Sequence, residues 1–160
     1  MAQELLHAIK HRKHGCTGWM AVKLDMAKAF DRVGWSFLTN GMQKFGFPSR
    51  LVSLVMSCLT TATFKFNLNG QALGCVTPSR GIRQGNPIFP YLFLLCFEGL
   101  SLLLKQVEEK DCFAGIKLTR NAPKISHLLF ADDSILVCNS NIQACNDIKD
   151  TLSLYEKISW

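Results

Sequence analysis

The fold of this chain is decided by the stretch Ile125-Ser126-His127-Leu128-Leu129-Phe130-Ala131-Asp132-Asp133-Ser134-Ile135-Leu136-Val137-Cys138, in which two adjacent carboxylates lie between two short apolar runs. Each run has the length and the branched or aromatic composition of a β-strand, so the pattern predicts a β-hairpin with Asp132 and Asp133 at its tip. Two neighbouring negative charges on a tight turn repel each other, and a cation offsets that cost. A bare hairpin turn more often contains Asn-Gly or Asp-Gly. The stretch therefore predicts a divalent-cation site.

Length and composition restrict the class of protein. The 160 residues predict a single domain over residues 1–160 with a substantial core. No uninterrupted apolar run reaches the length of a membrane-spanning helix, so we expect no membrane partner. The first residues lack the apolar segment of a signal peptide, which favours an intracellular location. The net charge of +6 allows a polyanionic partner, but such a charge is also common in proteins that bind none.

The metal ligands that zinc prefers are not arranged as a site in this sequence. Seven cysteines are scattered without a Cys-x-x-Cys pair, which indicates neither a disulfide framework nor a zinc site. His7 and His11 have the spacing of zinc ligands on a helix, but no third ligand follows them. The basic segment Lys10–His14 fits either a solvated helix C-terminus or a phosphate-contacting patch, and the sequence favours the first.

The apolar periodicity predicts an alternation of helices and short strands. We expect helices over residues 2–14, 36–45, 49–59, 91–107 and 141–155, and strands over 18–24, 64–68, 72–76 and 113–118. In the predicted helix over residues 49–59, we expect a buried face formed by Leu51, Leu54, Val55 and Cys58.

Two further segments carry polar residues at the ends of predicted elements. Asp25 follows the first strand, where it is either a catalytic carboxylate or the N-cap of the next helix. Residues 78–87 form a glycine-rich loop with two arginines that leads into a buried helix, which suits a planar or phosphorylated ligand. The glycine spacing in this loop matches neither the P-loop nor the dinucleotide-binding fingerprint.

These features converge if the first strand lies beside the hairpin in one antiparallel sheet. Asp25, Asp132 and Asp133 would then meet, and such a cluster holds two Mg²⁺ ions about 3.5–4 Å apart for in-line phosphoryl transfer. Carboxylate oxygens suit Mg²⁺, with Mn²⁺ as the alternative ion, and the absence of His and Cys beside them argues against zinc.

Three blocks of the sequence, in order, resemble the palm region of a reverse transcriptase of the non-LTR (LINE-type) retrotransposon kind common in plant genomes. The blocks are Leu24-Asp25-Met26-Ala27-Lys28-Ala29-Phe30-Asp31-Arg32-Val33, then Ser79–Pro87 continuing to Phe93, and then Phe130-Ala131-Asp132-Asp133. The resemblance implies an α+β polymerase palm, with a small antiparallel sheet packed on helices, partial fingers and no thumb. It covers nearly the whole chain.

The resemblance also implies a role for each matching residue of the first and third blocks. Asp25, Asp132 and Asp133 correspond to the metal-binding catalytic carboxylates, with Asp132 the more direct ligand. Phe30 corresponds to the ring that excludes a ribose 2′-OH, although core packing also explains a phenylalanine there.

The second block corresponds to the part of the family that holds nucleotides. Gln84 and Gly85 match positions that contact the incoming nucleotide and the template base, and Arg83 supports this loop or touches the template backbone. In the third block, Phe130 and Ala131 would flank the primer end.

The implied function is an RNA-directed DNA polymerase that adds a dNTP to a DNA primer 3′-OH on an RNA template, in the nucleus. The sequence departs from the family pattern at Asn86 and Phe89, both near the nucleotide loop. We expect the missing finger, thumb and endonuclease segments of the polyprotein to leave the isolated chain inactive. The alternatives are a catalytically silent remnant with weak nucleic-acid binding, and another palm-type enzyme such as a nucleotidyl cyclase, against which the second block argues.

Overall fold

The computed structural model describes residues 2–11, 18–26, 28–82, 85, 87–109, 113–119, 121–130 and 133–160, without the side chains of residues 2, 130 and 133. The helices are α1 (Ala2–His11), α2 (Ala29–Arg32), α3 (Trp35–Lys44), α4 (Ser49–Thr60), α5 (Phe89–Glu109) and α6 (Ile142–Ser159). The strands are β1 (Trp19–Asp25), β2 (Phe64–Leu68), β3 (Gln71–Val76), β4 (His127–Phe130) and β5 (Asp133–Asn139). This is the α+β class that the sequence predicts, with small antiparallel sheets and helices.

The chain divides into two compact units. The first unit comprises Met1–Ala27 and Phe97–Lys157, and the second comprises Lys28–Cys96 and Ile158–Trp160. A single domain over residues 1–160 stays a prediction.

The first unit is built on an antiparallel sheet with the strand order β1-β5-β4. The predicted hairpin is confirmed, because β4 pairs with β5 from His127 opposite Leu136 to Phe130 opposite Asp133. Asp133 is the first residue of β5 rather than a turn residue. Strand β1 pairs along the other edge of β5, so the first strand does lie beside the hairpin.

Both faces of this sheet carry apolar side chains, as the alternation along β5 requires. On one face, Leu5 of α1, Ile116 and Val137 form a buried cluster. On the other face, Leu136 and Cys138 are also fully buried. The predicted strand over 113–118 is reduced to a single bridge, in which the N–H groups of Ile116 and Ile125 each donate to the other residue's carbonyl oxygen at 2.9 and 2.8 Å.

In the second unit, α4 buries a different face from the one expected. The buried residues are Val52, Val55 and Leu59, whereas Leu54 is 62% exposed. Leu51 and Cys58 are also exposed, so three of the four predicted core positions are wrong. Because apolar residues occur around most of this helix, their spacing predicts the helix but does not determine which face is buried.

Helix α5 begins in the second unit and ends in the first. By length and composition alone this helix could cross a membrane, whereas the sequence shows no uninterrupted apolar run of that length. One such helix is weak evidence for a membrane span, and its buried residues recur at helical spacing. They are Phe89, Leu92, Phe93, Cys96, Phe97, Leu100, Ser101 and Leu104.

The second hairpin, β2–β3, is confirmed with its turn at Asn69 and Gly70. Every residue of its two strands is exposed.

Candidate active site

The end of β1 and the start of β5 bring two of the three predicted catalytic positions together. Asp25 is directly opposite Asp133, and the preceding pair is Leu24 opposite Ser134. Ser134 is buried and Asp25 is exposed, and the two belong to consecutive pairs whose side chains lie on opposite faces of the sheet. Asp132 lies outside the described residues. The backbone therefore places Asp25 opposite Asp133, as the sequence predicts for a first strand that lies beside the hairpin.

The residues at this edge match Mg²⁺ in the type of ligand they offer. The described side chains include Asp25 but not Asp132 or Asp133, and among them no group of three or more His, Cys, Asp and Glu residues is placed to hold a metal ion. The exposed Asp25 carboxylate supplies the hard oxygen ligands that Mg²⁺ prefers. The fit to a divalent cation thus depends on the pairing of Asp25 with Asp133.

In the second unit, the loop at residues 81–82 is fixed by three hydrogen bonds. The Gly81 N–H donates to the Val33 carbonyl at 2.8 Å, and the Ile82 N–H donates to the Phe30 carbonyl at 2.7 Å. The Trp35 indole N–H donates to the Gly81 carbonyl, also at 2.8 Å. The bonds from the Gly81 and Ile82 N–H groups join two of the sequence blocks. They connect the end of the first block, near Val33, to the part of the second block that comes just before the predicted nucleotide-contacting residues.

Glycine is required at position 81 because the two segments approach closely. A Cβ atom there would lie 2.6 Å from the Asp31 carbonyl oxygen, well inside van der Waals contact. The backbone φ angle is +91°, which L-residues with a side chain rarely adopt. Any side chain would push the loop away from α2.

Phe30 packs against the start of α5. Its ring stacks on Phe93 with the ring centroids 4.1 Å apart and the planes 17° apart. Phe30 remains half-exposed, so the packing explanation is confirmed and the exclusion of a ribose 2′-OH stays a prediction. Phe89, where the sequence departs from the family pattern, is only 2% exposed and belongs to the core.

The structure describes the other predicted contact residues only in part. Gly85 is exposed, and the backbone of Phe130 pairs with Asp133. Arg83, Gln84, Asn86 and Ala131 lie outside the described residues.

Beside the Gly81 loop is a cavity of about 250 Å³ that the sequence analysis did not identify. It is lined by Asp31, Trp35, Leu59, Phe64, Pro78, Arg80, Gly81 and Ile82. The Arg80 guanidinium donates to the Trp160 carbonyl at 3.5 Å, and the Arg32 guanidinium lies 5.1 Å from the centre of a Trp160 ring. The sequence analysis did not single out Trp35, and the signal that could have done so is its indole N–H, which usually has a hydrogen-bond partner when buried.

His127 on β4 is held between two buried serine hydroxyls. Its Nε2 is 2.9 Å from Ser101 Oγ, and its Nδ1 is 3.0 Å from Ser126 Oγ. Burial and the positive charge of Lys105 lower the pKa of His127, although Glu108 and Glu98 act in the opposite direction. The neutral imidazole is therefore the favoured form in the folded chain.

Comparisons with known proteins find a family model that covers nearly the whole chain and relatives that match parts of it. The family model described as reverse transcriptase (RNA-dependent DNA polymerase) matches residues 2–158. A retrovirus-related Pol polyprotein from the type-1 retrotransposable element R2 of Popillia japonica is 29% identical over 94% of this chain, which spans 24% of that polyprotein. An uncharacterized mitochondrial protein of Arabidopsis thaliana is 54% identical over 43% of this chain and 57% of its own length.

A solved structure resembles the fold of nearly the whole chain. Apo telomerase from Candida tropicalis, truncated from its C-terminal domain, superposes with a TM-score of 0.66 at 17% identity. The match covers 99% of this chain and 31% of the telomerase chain.

Proposed function

This chain belongs to the reverse transcriptase (RNA-dependent DNA polymerase) family, and from that premise we propose that it carries the two-metal nucleotidyl-transfer site of such a polymerase. The substrates would be an RNA template, a DNA primer and a dNTP. The observation that carries the proposal is the register that puts Asp25 opposite Asp133 at one edge of the β1-β5-β4 sheet.

In this proposal, Asp25, Asp132 and Asp133 hold the metal ions. Directly opposite residues of an antiparallel pair have Cβ atoms about 4.5–5.5 Å apart, a separation at which two carboxylates can share a cation. When bound, Mg²⁺ lowers the pKa of the attacking primer 3′-OH and neutralises charge on the leaving phosphate. Like charges this close also explain why a cation would stabilise the folded site.

The remaining residues position the substrates. The hydrogen bonds of Gly81 and Ile82 to the Phe30–Val33 segment would hold the start of the nucleotide loop, in which we assign Arg83, Gln84 and Gly85 to nucleotide and template contacts. Phe30, braced by Phe93, would form the wall against a ribose 2′-OH. Phe130 and Ala131 would flank the primer end, next to the carboxylates.

The test measures incorporation of dTTP on poly(rA)/oligo(dT) with Mg²⁺ by purified residues 1–160. We expect Asp25→Asn to reduce incorporation at least a hundredfold. Asp150→Asn on α6 is the matched control, because it removes the same charge from an exposed position away from the paired strands. If the wild type incorporates dTTP, a comparable rate in Asp25→Asn would refute the assignment.

A negative result with the wild-type chain has its own meaning. If the chain binds primer–template in a gel-shift assay but incorporates nothing, the catalytically silent remnant is the better description. The nuclear location stays a proposal as well, and imaging of the tagged chain would test it.

A further inference from the structure

Two sulfur atoms are in contact on the α6 side of the β1–β5 pair, outside the proposed active site, and a third sulfur-containing residue is paired with one of them in the sheet. Met20 on β1 is directly opposite Cys138 on β5. The Cys145 thiol, in the first turns of α6, donates to the Met20 thioether with a sulfur–sulfur distance of 3.7 Å. We call Met20, Cys138 and Cys145 the sulfur cluster.

A small solute can reach the sulfur cluster from one side. Cys138 is completely buried, whereas Cys145 is exposed and Met20 is half-buried. Met20 and Cys145 line a groove of about 340 Å³ whose other walls include Val22, Ile148 and Leu152. The remaining lining residues, Lys149, Ser153 and Glu156, offer only nitrogen or oxygen atoms, so Met20 and Cys145 supply the soft donors of this groove.

The distance between the sulfur atoms of Met20 and Cys145 is suitable for two ligands of one metal ion. With metal–sulfur bonds of about 2.3 Å, as in zinc thiolates, a separation of 3.7 Å corresponds to a sulfur–metal–sulfur angle of about 107°. Such an angle fits trigonal or tetrahedral coordination. Thiolate and thioether ligands together select soft ions such as Cu⁺, whereas structural zinc takes four Cys or His ligands.

We propose that the sulfur cluster binds one soft monovalent cation of the Cu⁺ class. On binding, the S–H bond of Cys145 breaks, its proton leaves to solvent, and a sulfur–metal bond forms at the position the proton occupied. The oxidation state of the metal does not change. Met20 donates a thioether lone pair, and the Cys138 thiol keeps its proton and donates a sulfur lone pair as the third, weaker ligand from the buried side.

Cys138 is directly opposite Met20 in the β1–β5 pair and is completely buried, so its sulfur atom would approach the ion from the side closed to solvent. Because the cluster spans β1, β5 and α6, an ion bound there would tie the two aspartate-bearing strands to α6.

The test is a titration of the full chain with Cu⁺, kept reduced with ascorbate under nitrogen, in competition with a chromogenic Cu⁺ chelator. We expect one ion per chain at the sulfur cluster and an affinity at least tenfold weaker in Met20→Leu and Cys145→Ser. Leucine replaces methionine with little change in volume, so Met20→Leu removes the sulfur atom with a modest effect on folding. The matched controls are Met56→Leu and Cys75→Ser, which lie in the second unit.

A second measurement separates binding from folding defects. We expect Cu⁺ to raise the melting temperature of the wild type and of both controls, but not that of Cys145→Ser, because only a native-state site stabilises the fold. The proposal is overturned if the wild type binds no Cu⁺ more tightly than Cys145→Ser, or if Met20→Leu and Met56→Leu bind it equally. Neither outcome depends on polymerase activity.

Discussion

Replacing Gly81 by alanine tests how the loop before the nucleotide-contacting residues is held. The added Cβ would lie 2.6 Å from the Asp31 carbonyl oxygen and 3.0 Å from its carbonyl carbon. These are backbone atoms, so no side-chain rotation relieves the contact. The hydrogen bonds of Gly81 to Val33 and Trp35 restrict movement of the loop itself.

The expected loss of stability combines three effects. A residue with a side chain at positive φ costs about 1–2 kcal/mol, overpacking costs about 1–3 kcal/mol, and a weakened hydrogen bond costs about 1 kcal/mol. We expect Gly81→Ala to lower the free energy of unfolding by about 3–6 kcal/mol, a large part of the stability of a typical domain.

Two other glycines of the second unit supply matched controls. Gly46 also has a positive φ, of +81°, but a Cβ there would meet nothing within 4 Å, so Gly46→Ala isolates the backbone cost of about 1 kcal/mol. Gly41 lies inside α3 with equally open space, and Gly41→Ala should gain about 0.5–1 kcal/mol. Urea unfolding followed by circular dichroism measures all three. Equal losses in Gly81→Ala and Gly46→Ala would refute the close approach of the loop to α2.

Two further predictions concern the first unit. The pKa of His127 is lowered in the folded state, so the folded chain binds the proton less readily than the unfolded chain does. The contribution of His127 to the free energy of unfolding is therefore complete above the unfolded pKa of about 6.5 and is lost as the pH falls below that value. Urea unfolding should therefore show a larger loss between about pH 7.5 and pH 5.5 for the wild type than for His127→Gln, and equal losses would contradict this. The buried Ser134 Oγ has no hydrogen-bond partner among the described residues. Ser134→Ala should raise the free energy of unfolding by about 1 kcal/mol, and a loss of that size would show that the hydroxyl is paired.

The sequence predicted the elements of the candidate site because their signals are local. The apolar runs on either side of Asp132-Asp133 predicted the hairpin, and the strand ending at Asp25 predicted its neighbour, as the register of β1 with β5 confirms. The hairpin turn was less well placed, because Asp133 already belongs to a strand.

Features that depend on distant parts of the chain could not be predicted in this way. The hydrogen bond from Trp35 to Gly81 joins residues 46 positions apart, and nothing local to either residue indicates the other. In α4, Leu54 and Val55 have similar apolar character, so only the packing of the second unit decides which of them is buried. The sulfur cluster likewise follows from the β1–β5 register and the position of α6, not from the spacing of cysteines.

The central claim is that Asp25 forms a divalent-cation site with the Asp-Asp segment across the β1–β5 pair. The most direct measurement is the melting temperature of the chain with and without Mg²⁺, for the wild type, Asp25→Asn and Asp150→Asn. A cation that binds only the native state stabilises it, so Mg²⁺ should raise the melting temperature of the wild type and Asp150→Asn equally and that of Asp25→Asn much less. Equal shifts in all three proteins would contradict the claim.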